Sequence, residues 1–496
     1  MKRSPLAAAA ASWHRPLTRR QLVAGCGALA AGAWLGGCGG GGNGSAASGA
    51  ATNPQPTPSG SLTSATLSIS AMSLGSIGPA FAGLSYEKSS LALPRFTAGN
   101  ADLIGMFQGL GTSLLRIGGN SVDKTQWTPA GPGGTAGEVA PADIDALGGF
   151  LRGCGWSVLY GVNLATSTPA AAAAEVSYAA QSLGASLYGI EIGNEPDLYG
   201  GNYFQSWTLQ DFELRWQAFR AAILASTPHV VLTGPADATN IGSWTIPFGE
   251  YAGSAQIALL TQHYYRGNGQ SPSSTDAELI SPDPTLVSDL AELHQGALAI
   301  GVPFRMAETN SFYNGGADGV SDSYASALWV IDQLFNIALG GGVGANLHGG
   351  GDSDGYTPIA DSNGTVVQAR PEYYGALLFT LAGEGTLLGL TLSAGGLDVT
   401  AYALEASDGT LSIVVVNKDA SRNLTLEIDC GRVVSAASLL AMTGPALAAT
   451  SGVLIQGAAV GVDGSFAPQP AYQLPVSGSQ VSCYVASLAA VLIRLS

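Results

Sequence analysis

The sequence predicts a (β/α)8 barrel, of the TIM type, followed by an all-β sandwich, and three observations predict it. Between Phe81 and about residue 385 short apolar runs recur eight times. Longer stretches with apolar residues at three- and four-residue spacing lie between them, "LQDFELRWQAFRAAILAS" and "SDSYASALWVIDQLFNIAL" among them. That is the alternation of a parallel barrel. Beyond it the chain carries β-rich runs separated by turn residues, with no helical stretch between them.

The elements follow in order. Residues 1–37 start basic, carry a twin-arginine-like "TRRQLV" at Arg19 and Arg20, and continue into an Ala/Gly/Leu-rich stretch too short for a comfortable membrane span. This reads as an export signal. It ends in "LGGC", which resembles a bacterial lipobox, so Cys38 is the expected lipidation site and the anchor to a membrane. Residues 38–62 are rich in Gly, Ser, Ala and Pro, the composition of a flexible tether. Residues 63–80 contain "ATLSIS", a strand that a closed barrel has no edge to accept, and it is expected to join the sandwich. The barrel is assigned to 81–385 and the sandwich to 386–496.

Charge and cysteine content narrow the partners. Cleavage before Cys38 removes Lys2, Arg3, Arg15, Arg19 and Arg20 and no acid, leaving 14 cations against 35 acids and a formal charge of −21. So few cations exclude nucleic acid as a partner and argue against a densely sulfated polymer. Cys154, Cys430 and Cys483 remain; export permits a disulfide, but spacing does not say whether Cys430 and Cys483 meet. The few histidines have no metal-ligand spacing, so no metal or cofactor is expected.

Each of the eight apolar runs turns polar at its end: Glu87, Asn120, Asn163, Asn194 with Glu195, Asp237, His263 with Tyr264 and Tyr265, Glu308, and His348. In a barrel these ends open on one face, where active sites sit. Two of them, Glu195 in "IGNEPD" and Glu308 in "MAETNSFYNGG", end the fourth and seventh runs. Two carboxyls about 5–5.5 Å apart are what retaining glycoside hydrolysis requires, one ionised as nucleophile and one protonated as acid and later base. His263 and His348 read as structural rim residues beside them.

In order along the chain, "GLSYEKSSLALP", "LRIGGNSVD", "GNEPD", "QHYY" and "ETNSFYNGG" resemble glycoside hydrolase family 79 of clan A, the β-glucuronidase and heparanase family. The resemblance implies Glu195 as acid/base and Glu308 as nucleophile. It implies that Asn194 binds the sugar 2-hydroxyl and that Tyr265, rather than Tyr264, donates to Glu308. Tyr313, the backbone N–H groups of Gly315 and Gly316, and Tyr356 match positions that grip the substrate carboxylate. Glu87, Asn120 and Asp123 would contact the sugar. The expected activity is removal of terminal β-linked glucuronic acid from a glycoside or glycan, because a chain of this charge repels a sulfated polymer. The alternatives are internal cleavage of a uronic-acid polysaccharide, a clan A activity on a neutral sugar, and a non-catalytic sugar-binding lipoprotein.

Overall fold

The computed structural model describes residues 53–351 and 355–496. The expected export signal, the lipobox cysteine Cys38 and most of the tether lie outside the described residues. Among those described, no helix is long and apolar enough to cross a membrane.

Eight parallel strands close into a barrel: Ala82–Glu87, Leu114–Gly118, Ser157–Val162, Leu187–Ile192, Leu232–Asp237, Leu259–Asn268, Phe304–Tyr313 and Ala345–Gly349, taken below as barrel strands one to eight. Each coincides with one of the eight apolar runs. Strand eight returns to strand one with Leu347 opposite Leu84, which closes the ring. Most of these residues are buried on both faces, because one face fills the barrel and the other packs under the helices. The intervening helices start at recognisable signals. Leu209–Ser226 opens on Thr208, whose hydroxyl accepts from the Asp211 N–H while the Asp211 carboxylate accepts from the Thr208 N–H, a reciprocal cap.

The β-rich part differs from two stacked, separate sheets. Its strands form one continuous sheet that curls on itself around its own core. The N-terminal strand Leu62–Ile77 is built into the middle of that sheet. It runs antiparallel to Gly385–Ser393 and parallel to Asn423–Asp429, with Leu67 opposite both Leu392 and Ile428. Val399–Glu405, Leu411–Asn417, Ala489–Leu495 and Ala437–Thr443 continue from the first neighbour, and Gln480–Val485 from the second. Period-two alternation explains the unbroken apolar run "LSIVVV". Ile413 and Val415 face the sheet's own core, while Val414 and Val416 face the barrel's helices. Cys430 and Cys483 lie in the sheet core as unpaired thiols, with burial pushing the Cys483 thiol up to about 12.

Two helices, Tyr324–Leu339 and Pro371–Ala382, are buried on nearly every face because they form the layer between barrel and sheet. Phe335 stacks on Tyr402 of the sheet, ring centroids 4.2 Å apart. The Asp332 carboxylate accepts from Thr400 Oγ1 at 2.6 Å, Tyr402 OH at 2.8 Å and the buried Lys418 Nζ at 2.9 Å, all three from the sheet. The seam therefore ties the sheet to the helix Tyr324–Leu339, which connects strands seven and eight in the chain.

Candidate active site

The carboxyl ends of the barrel strands converge on Glu195 and Glu308. Strand seven carries Glu308 opposite His263 of strand six, and the carboxylate is buried. Glu195 stands two residues beyond Gly193, where strand four has ended. Pro196 bars it from the ordinary helical conformation. It takes a left-handed one instead, φ 49° and ψ 54°, with its N–H held by the Ala236 carbonyl at 2.8 Å. One oxygen of Glu195, one of Glu308 and a ring nitrogen of His263 lie within 4.8 Å of one another. Barrel closure thus brings together two acids separated by more than a hundred residues.

Their surroundings differ. Glu308 accepts from Tyr265 OH on one oxygen and from Arg116 Nη1 on the other, at 2.8 and 2.7 Å. Burial alone pushes this carboxyl up, but the imidazoles of His348 and His263, the Arg116 guanidinium and the Tyr265 hydroxyl outweigh burial and hold it well below the usual carboxylate range. Tyr265, buried and beside that negative charge, has its own ionisation pushed far above the ordinary value and stays a neutral donor. Glu195 is more open, its side chain 17% exposed, and pairs with His263 Nδ1 at 3.0 Å. Glu308 is thus held as an anion by donors on both oxygens, whereas Glu195 faces a solvent-reaching pocket.

Arg116 organises the floor. Fully buried on strand two, it donates from Nε to Glu191, from Nη1 to Glu308 and from Nη2 to Asn194 Oδ1, at 2.7, 2.7 and 2.9 Å. Against the cost of burial, the charges of Glu191 and Glu308 raise its ionisation further, so it remains a cation. Sequence reasoning passed over Arg116 and Glu191. The signal was present: a cation in "SLLRIGG" and an acid in "YGIEIG", each inside an otherwise apolar run, require each other if both are buried. His263 and His348, read as rim residues, also take part. His348 Nδ1 sits 3.0 Å from Ser85 Oγ and 3.6 Å from Glu308.

The remaining expected residues divide. On strand six alternation sends His263 and Tyr265 to the site, while Tyr264 turns outward and donates to Asp283 at 2.6 Å. Tyr313 and Tyr356 flank Tyr265, with ring centroids 6.4 and 6.0 Å away, and Tyr313 is 45% exposed. Gly315 and Gly316 follow in left-handed turns at φ 83° and 84°. Their N–H groups donate to no acceptor among the described residues, and a Cβ on Gly316 would come within 2.9 Å of Ser321 Cβ. Glu87 accepts from the Asn120 and Ser121 N–H groups at 3.0 and 2.7 Å, so it shapes the loop after strand two as well as edging the site. Asn120 is exposed at the mouth.

Asp123 departs from expectation. Its carboxylate is buried, with Oδ1 taking the Leu164 and Ala165 N–H groups and Oδ2 taking the Asn194 N–H and the Tyr199 hydroxyl. With four donors already in place it braces the backbone of Asn194 rather than offering itself to sugar hydroxyls. An imidazole and two carboxylates could also serve a cation. Here, however, both Glu308 oxygens are already engaged by Arg116 and Tyr265.

Known proteins share this architecture. No protein-family model matches the chain. A β-glucuronidase of Aspergillus niger is 27% identical over 257 residues, 46% of this chain and 47% of that protein, so the match spans about half the length of the curated relative. Among solved structures, a 4-O-α-L-rhamnosyl-β-D-glucuronidase from Fusarium oxysporum 12S superposes with a TM-score of 0.74 at 19% identity, over 87% of this chain and all of that one. The GH51 arabinofuranosidase from Xanthomonas axonopodis pv. citri gives 0.65 at 17% identity over the same shares. The chain has the glycoside-hydrolase fold of a (β/α)8 barrel braced by an all-β sheet.

Proposed function

We propose that the chain is a retaining β-glucuronidase of the family 79 type that removes a terminal β-linked glucuronic acid. The observation that carries this reading is the pair of acids, with oxygens within 4.8 Å and contrasting surroundings. That spacing suits direct attack by one carboxylate and is short for the water that an inverting pair must admit between them.

In the first step a Glu308 oxygen attacks the anomeric carbon as the bond to the leaving oxygen breaks, and Glu195 delivers its proton to that oxygen. In the second, Glu195 takes a proton from water, which attacks the same carbon and releases Glu308. Arg116 and Tyr265 keep Glu308 anionic and aimed, and His263 orients Glu195 through Nδ1. Asn194, its Oδ1 held by Arg116, sits beside Glu195 to meet the 2-hydroxyl.

Specificity for the uronate rests on Tyr313, Tyr356 and the open N–H groups of Gly315 and Gly316. Such donors suit a single carboxylate better than a polyanion. The β-glucuronidase likeness of part of the chain supports the sugar assignment. The same reading keeps Cys38 as the site of a lipid anchor on an exported protein. Turnover of p-nitrophenyl β-glucuronide by the signal-free protein, beside a heparan chain, tests the activity. Release of nitrophenol without chain shortening is expected, and chain shortening would mark internal cleavage instead.

A further inference from the structure

A pocket of about 360 Å³ opens on the Glu195 side of the site. That volume lies in the range of small-ligand sites, about 300–1,000 Å³. Asn120, Lys124, Asn194, Glu195, Asn202 and Tyr203 line it, together with the buried Asp123. Glu308 does not line it, and neither do the three tyrosines grouped around Tyr265. The group receiving a proton from Glu195 is the leaving oxygen, so whatever that oxygen carries must lie against Glu195. The pocket is where it fits.

Its chemistry is that of a sugar site with one charge. Three Asn amides, of Asn120, Asn194 and Asn202, supply donors and acceptors for hydroxyls, and Tyr203 supplies an aromatic face. Lys124 is the unusual member. The described residues hold three lysines, and Lys88 and Lys418 are buried in ion pairs with Glu175 and Asp332. Lys124 is exposed and has neither an ion pair nor a side-chain hydrogen bond among the described residues, in a chain rich in acids. Its backbone is nevertheless fixed, by the one-turn helix Val122–Lys124 and the Lys124 N–H bond to the Ser121 carbonyl at 3.1 Å. The Glu87 carboxylate that accepts from the Asn120 and Ser121 N–H groups secures the same loop. The two acids that line the pocket have partners of their own: Asp123 its four donors and Glu195 the His263 ring nitrogen Nδ1.

We infer that this pocket is the leaving-group subsite and that it selects an aglycone bearing one anionic substituent, a carboxylate or a sulfate, paired with Lys124. The inference rests on the glycosidase reading and names the class of aglycone that reading leaves open.

Phenyl, 4-carboxyphenyl and 4-(sulfooxy)phenyl β-glucuronides test it, compared between the wild type, Lys124→Gln and Lys124→Arg. In Lys124→Gln the ratio of kcat/KM on an anionic to that on the neutral substrate should fall about three- to tenfold, the range of a partly exposed charge-assisted pair. Lys124→Arg should restore it, and salt should erode the wild-type preference. The arm that falls further names the anion. An unchanged ratio in both arms overturns the inference. Should the wild type turn over no glucuronide, the glycosidase reading fails on its own. Calorimetric binding of 4-carboxyphenyl against phenyl β-glucuronide by wild type and Lys124→Gln then decides the role of Lys124: a preference lost in the variant supports it, and equal binding by both overturns it.

Discussion

At the scale of single residues, the two glutamates differ because their neighbours differ, and the proposed chemistry divides between them accordingly. Tyr265→Phe removes one of the two donors on Glu308, so its carboxyl rises toward the ordinary range and a larger fraction is protonated in acid. The acid limb of the kcat/KM profile should move to higher pH, with activity at neutral pH down about 10- to 100-fold. An unmoved acid limb would show that Tyr265 serves packing alone. The sign for stability is the same: a carboxylate held low by native partners stabilises the fold above its unfolded value, about 4.3, and loses that contribution as pH falls through the native value. Tyr313→Phe should reduce turnover of glucuronides far more than of glucosides. Equal loss on both would remove Tyr313 from carboxylate recognition. Glu195→Ala should cleave an activated phenyl glucuronide in its first step and stall at the glycosyl-enzyme, with azide restoring turnover as a nucleophile that needs no base.

At the scale of elements, strand ends were legible in the sequence because an apolar run that turns polar marks where a buried strand reaches solvent. The eight apolar runs became the eight barrel strands, and two of their ends became the acid pair. What was hidden lay inside the runs. Arg116 and Glu191 read as interruptions of apolar strands, since pairing across the barrel joins residues 75 positions apart. Asp123 read as a sugar ligand because spacing gives the position of a carboxylate and not the donors that fold against it. The strand Gly385–Ser393 fell at an assumed domain boundary, although it is the partner that draws the N-terminal strand into the sheet. The seam offers an element-scale test. Asp332→Ala strips the buried Lys418 of its shorter ion pair, leaving Asp398 at 3.3 Å, and removes the acceptor of Thr400 and Tyr402. It should cost about 3 kcal/mol in urea unfolding, with KM nearly unchanged. A neutral result would show that the apolar packing around Phe335 carries the seam.

At the scale of the whole molecule, the chain is stitched from its start. Leu62–Ile77 sits between Gly385–Ser393 and Asn423–Asp429, so removing it splits the sheet in the middle rather than trimming an edge. A chain beginning at residue 53 should fold and keep its activity, whereas one beginning at residue 79 should be recovered insoluble; a soluble, active shorter chain would show that the barrel stands without the sheet's support. The site depends on that support indirectly, through the helix Tyr324–Leu339, from which Gln333 donates to Thr309 of strand seven at 3.1 Å, next to Glu308. Barrel, seam and sheet together support the proposed division of labour, in which Glu308 would attack the sugar while Glu195 manages the proton. The most direct measurement is the configuration of the sugar first released from phenyl β-glucuronide, followed by proton NMR before mutarotation. Two displacements at the same carbon release β-glucuronic acid first, with the α-anomer growing in later. The α-anomer appearing first would contradict it, since one displacement by water would then have done the work assigned to two carboxylates in two steps.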